Sequence, residues 1–238
     1  MASFVEWIDR TFYPEYGKNW DDLMFREAIL ANLSPSSTVL DVGAGAGIVE
    51  AMNFRDKVAR ICGVDLDLRV TANPMLHEGR VADAANIPYP DESFELVFAD
   101  NVMEHLERPT EVFAELARVL KPGGKLLFKT PNRTHYMPMI ARMTPHWFHQ
   151  YYNRKRGRDA EDTFPTCYRA NARRDIASLA NGAGLVVSRV KLIEGRPEYL
   201  RMSALTYAAG LLYERFVNAT EAMAGIRILI IAELRKPV

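Results

Sequence analysis

One stretch constrains the fold more than any other: Val39-Leu40-Asp41-Val42-Gly43-Ala44-Gly45-Ala46-Gly47, an apolar run that breaks into alternating glycines. The apolar part has strand character, and a helical stretch is expected from Ile48. Glycines let a backbone turn sharply and let a ligand come close to it. In open α/β sheets ligands bind at the carboxyl ends of strands, and this is the first such end in the chain. The spacing is G-x-G-x-G rather than G-x-G-x-x-G, and an acid, Asp41, stands two residues before the first glycine. A carboxylate there repels a pyrophosphate and suits a ligand that brings a positive amino group and no phosphate.

Apolar runs and helical patterns alternate over most of the length. Strands are expected at Thr38–Val42, Arg60–Asp65, Gly79–Asp83, Glu95–Ala99, Lys125–Lys129, Leu185–Ile193 and Arg227–Leu234. Several are apolar throughout, as strands covered on both faces are. The clearest helix is Thr110–Leu120, started by Pro109-Thr110, striped by Val112, Phe113, Leu116, Val119 and Leu120, and stopped by Pro122-Gly123-Gly124. Asp22–Leu33 and Asn171–Asn181 are further helices. The alternation predicts an α/β fold with a doubly wound, mostly parallel sheet, forming one domain over 1–238. Two segments interrupt it. Residues 131–170, rich in aromatic and basic types, read as a cap or substrate lid, and residues 197–220 as an inserted helix before the last strand. On that helix Leu205, Ala208, Leu212 and Phe216 share one face. Such stripes are usually core, and otherwise dock on a membrane surface or a second subunit.

Acids recur at the strand ends: Asp41, Asp65, Asp83 and Asp100 sit in or near the C-terminal end of four successive strands. Asp65, at the end of Gly63-Val64-Asp65, can accept both hydroxyl hydrogens of a ribose, a feature shared by S-adenosylmethionine (SAM) and NAD sites. SAM carries an ammonium and a sulfonium, and so matches Asp41 better than NAD does.

Lys and Arg number 30 and Asp and Glu 30, so bulk charge offers no argument for a nucleic-acid or membrane partner. Two cysteines make neither a disulfide framework nor a metal-ligand spacing. No uncharged apolar stretch reaches the roughly 20 residues of a membrane span. These features point to a cytoplasmic protein; a monomer or homodimer is the expectation, which they do not decide.

From Thr38 to Asn132 the chain resembles the class I SAM-dependent methyltransferases. The resemblance is carried by the VLDVGAGAG loop, the GVD acid, Asp83-Ala84 with the I-P-Y-P-D-x-S-F-E-L-V run after it, N-V-M-E-H-L, and L-K-P-G-G-K-L-L-F. It implies a seven-stranded sheet with the last strand antiparallel, and SAM as cofactor. Asp41, Gly43, Ala44 and Gly45 would line the methionine end. Asp65 would hold the ribose hydroxyls with Leu66 against the adenine. Asp83 would take the adenine amino group with Ala84 offering its N–H, and Asp100 and Asn101 would lie beside the sulfonium. Tyr16 is a candidate to cover the cofactor.

Methyl transfer is an in-line displacement in which protein mainly positions and desolvates, and a general base is needed only where the acceptor must lose a proton. His105, after the fourth strand, is the candidate base; it could equally cap a turn. Some quinone O-methyltransferases bind a divalent metal through Glu-x-x-Glu-His, but Asn101 replaces the first Glu here, so no metal is expected. His149 and Tyr152, within the aromatic run of the cap, are candidate substrate contacts. The expected partner is a small-molecule acceptor: an aromatic or quinone ring, a saccharide or a lipid-linked intermediate, with peripheral membrane contact allowed. Nucleic acid is not expected, because the N-P-P-[FY]-type run is absent after the fourth strand. A non-catalytic SAM-binding protein is the alternative, and an NAD-dependent oxidoreductase a weaker one.

Overall fold

The computed structural model describes residues 4–17, 19–143 and 165–238. The described residues divide into two compact units: 22–131, 165–191 and 230–238 form the larger, and 4–17, 19–21, 132–143 and 192–229 the smaller.

A seven-stranded sheet of order β3-β2-β1-β4-β5-β7-β6 is built from β1 (Thr38–Val42), β2 (Arg60–Asp65), β3 (Glu78–Val81), β4 (Phe94–Asp100), β5 (Leu120–Pro131), β6 (Val186–Ile193) and β7 (Leu229–Arg235). The pairs β1/β2, β1/β4, β2/β3 and β4/β5 are parallel. β7 runs antiparallel to β5, because Gly123 and Gly124 near the start of β5 exchange backbone hydrogen bonds with Lys236 just past the end of β7. Every expected strand forms, with ends moved by a few residues. The order reverses beside β1, where β2 lies on one side and β4 on the other. That switch point is where open α/β sheets bind ligands.

Helices of the larger unit follow the apolar pattern. Pro109 occupies the first turn of α3 (Pro109–Val119), whose buried face is Val112, Phe113, Leu116, Ala117 and Val119. α2 (Trp20–Leu30) buries Phe25 and Ile29, and α5 (Arg173–Gly182) buries Ile176 and Ala180. Phe98 in β4 takes edge-on contacts from Phe25 and Phe54. That cluster anchors the strand whose end carries Asp100.

The helix expected from Ile48 does not form. Residues after Gly47 make two short 3-10 turns, Glu50–Met52 and Arg55–Lys57. The Arg26 guanidinium takes the carbonyls of Ala51 (2.5 Å) and Asn53 (3.0 Å), which an α-helix would use internally, and lies over the Phe54 ring.

In the smaller unit α1 (Phe4–Phe12) packs on α6 (Ala204–Asn218) through Ile8, Tyr13 and Tyr207. Ser203 caps α6 in a capping box with Thr206. α4 (Tyr136–Met143) opens the return from β5. The expected core stripe on α6 is not the buried one. Leu205, Leu212 and Phe216 are exposed, at 82%, 71% and 57%. The buried face is Tyr207, Gly210, Glu214 and Val217. Glu214 can be buried because it accepts from Tyr13 Oη (3.1 Å) and Asn218 Nδ2 (2.7 Å). No helix of the described residues is long and apolar enough to cross a membrane.

Candidate cofactor site at the strand ends

The glycine loop leaves β1 with Gly43, Gly45 and Gly47 all in the left-handed region (φ +79°, +50° and +73°). Two of the three also have no room for a side chain: a Cβ on Gly43 would lie 2.3 Å from Val102 Cγ2, and one on Gly47 would lie 2.2 Å from Asn73 Oδ1. Buried Asn73 clamps the loop, its Nδ2 donating to the carbonyls of Ala44 (2.9 Å) and Gly45 (3.2 Å). Since no α-helix follows the loop, the helix N-terminus that would favour a phosphate is missing among the described residues.

Acids dominate the electrostatics of this edge. Asp41 is buried, and its carboxylate forms no hydrogen bond or ion pair among the described residues. Burial, and then the charges of Asp100 and Asp65, push it well above the usual carboxylate range. Asp65 accepts from the amide of Gly45 on Oδ2 (2.8 Å) and from that of Asp67 on Oδ1 (2.8 Å). Each oxygen keeps a second lone pair, which a ribose diol can use. Asp100 Oδ1 accepts from Asn101 Nδ2 (3.0 Å) and pairs with Lys129 Nζ (3.0 Å).

Asp83 lies two residues past β3. Its Oδ1 accepts from the amide of Ala85 and its Oδ2 from Arg108, at 2.9 and 2.7 Å, with Ala84 half-buried in the turn. Leu66 is 72% exposed, and Ile48, Leu68 and Val81 are exposed too. Leu66 follows Asp65, Val81 is its register partner in β3, and Ile48 and Leu68 lie in the loops after β1 and β2. They suit a flat apolar ring.

Past β4 the backbone is strained. Asn101 holds φ +53° and Tyr168 φ +52°, conformations that cost of order 1–3 kcal/mol in a non-glycine residue and cluster at functional sites. Glu104 and His105 sit in a 3-10 turn, Met103–His105. Glu104 is buried and accepts from Thr130 Oγ1 (2.9 Å), which in turn accepts from Asn171 Nδ2 (2.6 Å). Its carbonyl takes the amides of Cys167 and Tyr168. His105 Nδ1 lies 2.8 Å from the Pro165 carbonyl oxygen. A carbonyl only accepts, so Nδ1 carries a proton, and in the neutral ring the lone pair is then on Nε2. No group of His, Cys, Asp and Glu side chains among the described residues could hold a metal ion.

Asp41, Gly43, Ala44, Gly45, Asp65, Leu66, Asp83, Ala84, Asp100, Asn101 and His105 thus all lie at the carboxyl ends of β1 to β4 or in the loops that follow them. Tyr16 belongs to the smaller unit, edge-on to Tyr13 and Trp20. His149 and Tyr152 lie outside the described residues. Sequence reasoning missed Asn73, Ile48, Val81 and Lys129. The turn-forming Asn73-Pro74 dipeptide and the place of Ile48 directly after the third glycine were the available signals.

A doubly wound sheet with a glycine loop and a row of acids at its switch point defines a Rossmann-like α/β fold. A family model described as a methyltransferase domain matches residues 16–190, and the chain belongs to that family, the class I SAM-dependent methyltransferases. A "Probable S-adenosylmethionine-dependent methyltransferase" of Mycolicibacterium smegmatis is 34% identical over 120 residues, spanning 49% of this chain and 46% of that protein. A malonyl-[acyl-carrier protein] O-methyltransferase of Hahella chejuensis is 33% identical over 99 residues, 39% of this chain and 36% of that protein. The chain thus spans less than half the length of these curated relatives. Phosphoethanolamine N-methyltransferase 2 of Haemonchus contortus, solved with SAM bound, superposes with a TM-score of 0.57 at 18% identity over 100% of this chain and 61% of its own. The [4+2]-cyclase SpnF superposes at 0.58 and 19% identity, over 94% and 85%. At such identities the likeness establishes the fold, and the reaction has to be argued from the site.

Proposed function

We propose that this chain binds SAM at the carboxyl ends of β1 to β4 and transfers its methyl group to a small-molecule acceptor. The observation that carries the reading is Asp41: a buried carboxylate without a hydrogen-bond partner among the described residues, beside Asp65 and Asp100, at an edge with no phosphate-binding helix. Such an edge suits an ammonium and a sulfonium and disfavours a dinucleotide pyrophosphate.

Bound there, SAM supplies an electrophilic methyl group whose leaving group is a neutral thioether. The protein's residues do the rest. Asp65 accepts the ribose hydroxyl hydrogens. Asp41 and the glycine loop hold the amino-acid end, and Leu66 and Ile48 cover the base. Asp100 faces the cationic sulfur, held by Asn101. His105 takes the acceptor's proton on Nε2, oriented by its Nδ1 bond to the Pro165 carbonyl, as a hydroxyl acceptor requires. The exposed Trp7, Leu205, Leu212 and Phe216 of the smaller unit favour a lipid-linked acceptor over a freely soluble one.

The test is formation of S-adenosylhomocysteine (SAH) from SAM with a panel of hydroxyl, amine and carboxyl acceptors, some lipid-linked. Turnover with a hydroxyl acceptor that falls by roughly 100-fold or more in His105→Ala supports the full reading. SAM binding without SAH formation on any acceptor would instead favour a non-catalytic SAM-binding protein.

A further inference from the structure

Lys129 lies near the end of β5, between the apolar residues Leu126 to Phe128 and the start of the next loop, and its side chain is fully buried. A buried ammonium is costly unless it is paired. Lys129 Nζ is paired twice, with the Asp22 carboxylate from the first turn of α2 and with Asp100 Oδ1 at 3.0 Å. β4 and β5 place Asp100 and Lys129 side by side in register, and the Lys129 carbonyl accepts the amide of strained Asn101 (2.9 Å). One residue thus grips both the backbone and the side chain of the Asp100-Asn101 corner.

A buried ion pair is weak evidence of a stabilising role, because an apolar replacement of similar volume is often as stable. What Lys129 changes is charge. The groups facing Asp100 are Asp41 from β1, Asp22 from α2, Lys129 from β5 and Glu104 from the following turn, with Asp65 of β2 beyond Asp41. Lys129 is the cation paired with Asp100 in that set, with His105 next to Glu104. Without Lys129, neighbouring carboxylates in a low-dielectric site cannot all stay ionised, as buried Asp41 already illustrates. A protonated Asp100 would present a neutral carboxyl to the ligand's cationic centre.

We propose that Lys129 is a positioning residue that keeps Asp100 ionised and aimed at the sulfonium. This rests on the SAM reading of the edge given above. The device explains why a lysine, rather than another Leu or Phe, ends the apolar run of β5. It also gives α2 a functional tie to the cofactor edge through Asp22.

The test is calorimetric titration of SAM and SAH between pH 6 and pH 9 into the wild type, Lys129→Met, and the double variant Lys129→Met/Asp22→Asn. SAH keeps the ammonium and lacks the sulfonium charge. In Lys129→Met, SAM affinity is expected to fall about tenfold toward pH 6 and to recover as pH rises, since one unit of pKa is tenfold in protonation. SAH affinity should change much less. The double variant removes the cation together with the outer acid, and is expected to regain part of the lost SAM affinity. It also serves should Lys129→Met fail to fold. The proposal is overturned if the folded variants bind SAM with the wild-type affinity and pH profile. It is overturned too if SAM and SAH weaken equally at every pH, or if the double variant only adds losses, because those are the marks of a structural role. A wild type that binds no SAM at any pH removes the reading on which the proposal stands, and is seen before any variant is made.

Discussion

The amide of Gly45 donates to Oδ2 of Asp65 at 2.8 Å, so the acid that ends β2 is also a strut of the loop that ends β1. Its other oxygen holds the amide of Asp67. Removing the carboxylate leaves two amides unpaired, at a cost of about 1–3 kcal/mol. Asp65→Ala is therefore expected to lower the urea midpoint of the ligand-free protein. An unchanged midpoint would mean the loop does not depend on Asp65.

Gly43 is a steric position. Alanine there meets a left-handed backbone and a Val102 methyl group 2.3 Å away. Gly43→Ala is expected to destabilise by roughly 2 kcal/mol or more. Gly43→Ala/Val102→Ala should recover the part due to the clash and leave the part due to φ. Strict additivity of the two single variants in a denaturation cycle would refute the contact.

The smaller unit carries a pH signature. Glu194 is buried, its Oε2 accepts the amide of Ile228 (2.9 Å), and it lies 3.4 Å from His135 Nε2. Burial pushes Glu194 up to about 8 and His135 down to about 3. The folded state thus holds a proton on Glu194 that the unfolded chain gives up near 4.3. Its contribution is complete below that pH and is lost as pH rises through about 8. His135 acts in the opposite sense, losing stability as pH falls from about 6.5 toward 3. Glu194→Gln should flatten the decline in denaturant midpoint between pH 5 and 8. An equally steep decline in the variant would assign it elsewhere.

Leu212 and Phe216 are exposed while Tyr207 on the same helix is fully buried. Leu212→Ser is expected to change stability by no more than about 0.5 kcal/mol. Tyr207→Ala should cost about 3–5 kcal/mol, as truncating a large buried aromatic side chain does. Comparable losses in thermal unfolding would mean the outer face is covered in solution.

Much of this was legible in the sequence. β1 and β2 fall on the expected residues because apolar strands bounded by glycine and acid leave little choice of register. α3 falls within a residue of expectation because Pro109 fixes its start and five apolar residues fix its face. The helix after Gly47 was not foreseeable as absent, since the cause is Arg26, more than twenty residues upstream, claiming the carbonyls of Ala51 and Asn53. The buried face of α6 was misjudged because it contains a glutamate, whose burial is made tolerable by Tyr13, Asn218 and Arg215. The strand-end acids could be read as a set, but Lys129, the counter-charge of Asp100, looked like an ordinary strand residue. Its pairing with Asp22 depends on two elements distant in the chain.

The most direct test of the central claim is calorimetric titration of SAM, SAH and NAD into the wild type and Asp65→Ala. The expected result is binding of SAM and SAH by the wild type, no binding of NAD, and a loss of about 100-fold in affinity in the variant, the worth of two hydrogen bonds to a charged acceptor. Binding of NAD without SAM would contradict the reading of Asp41 and of the whole edge built around it.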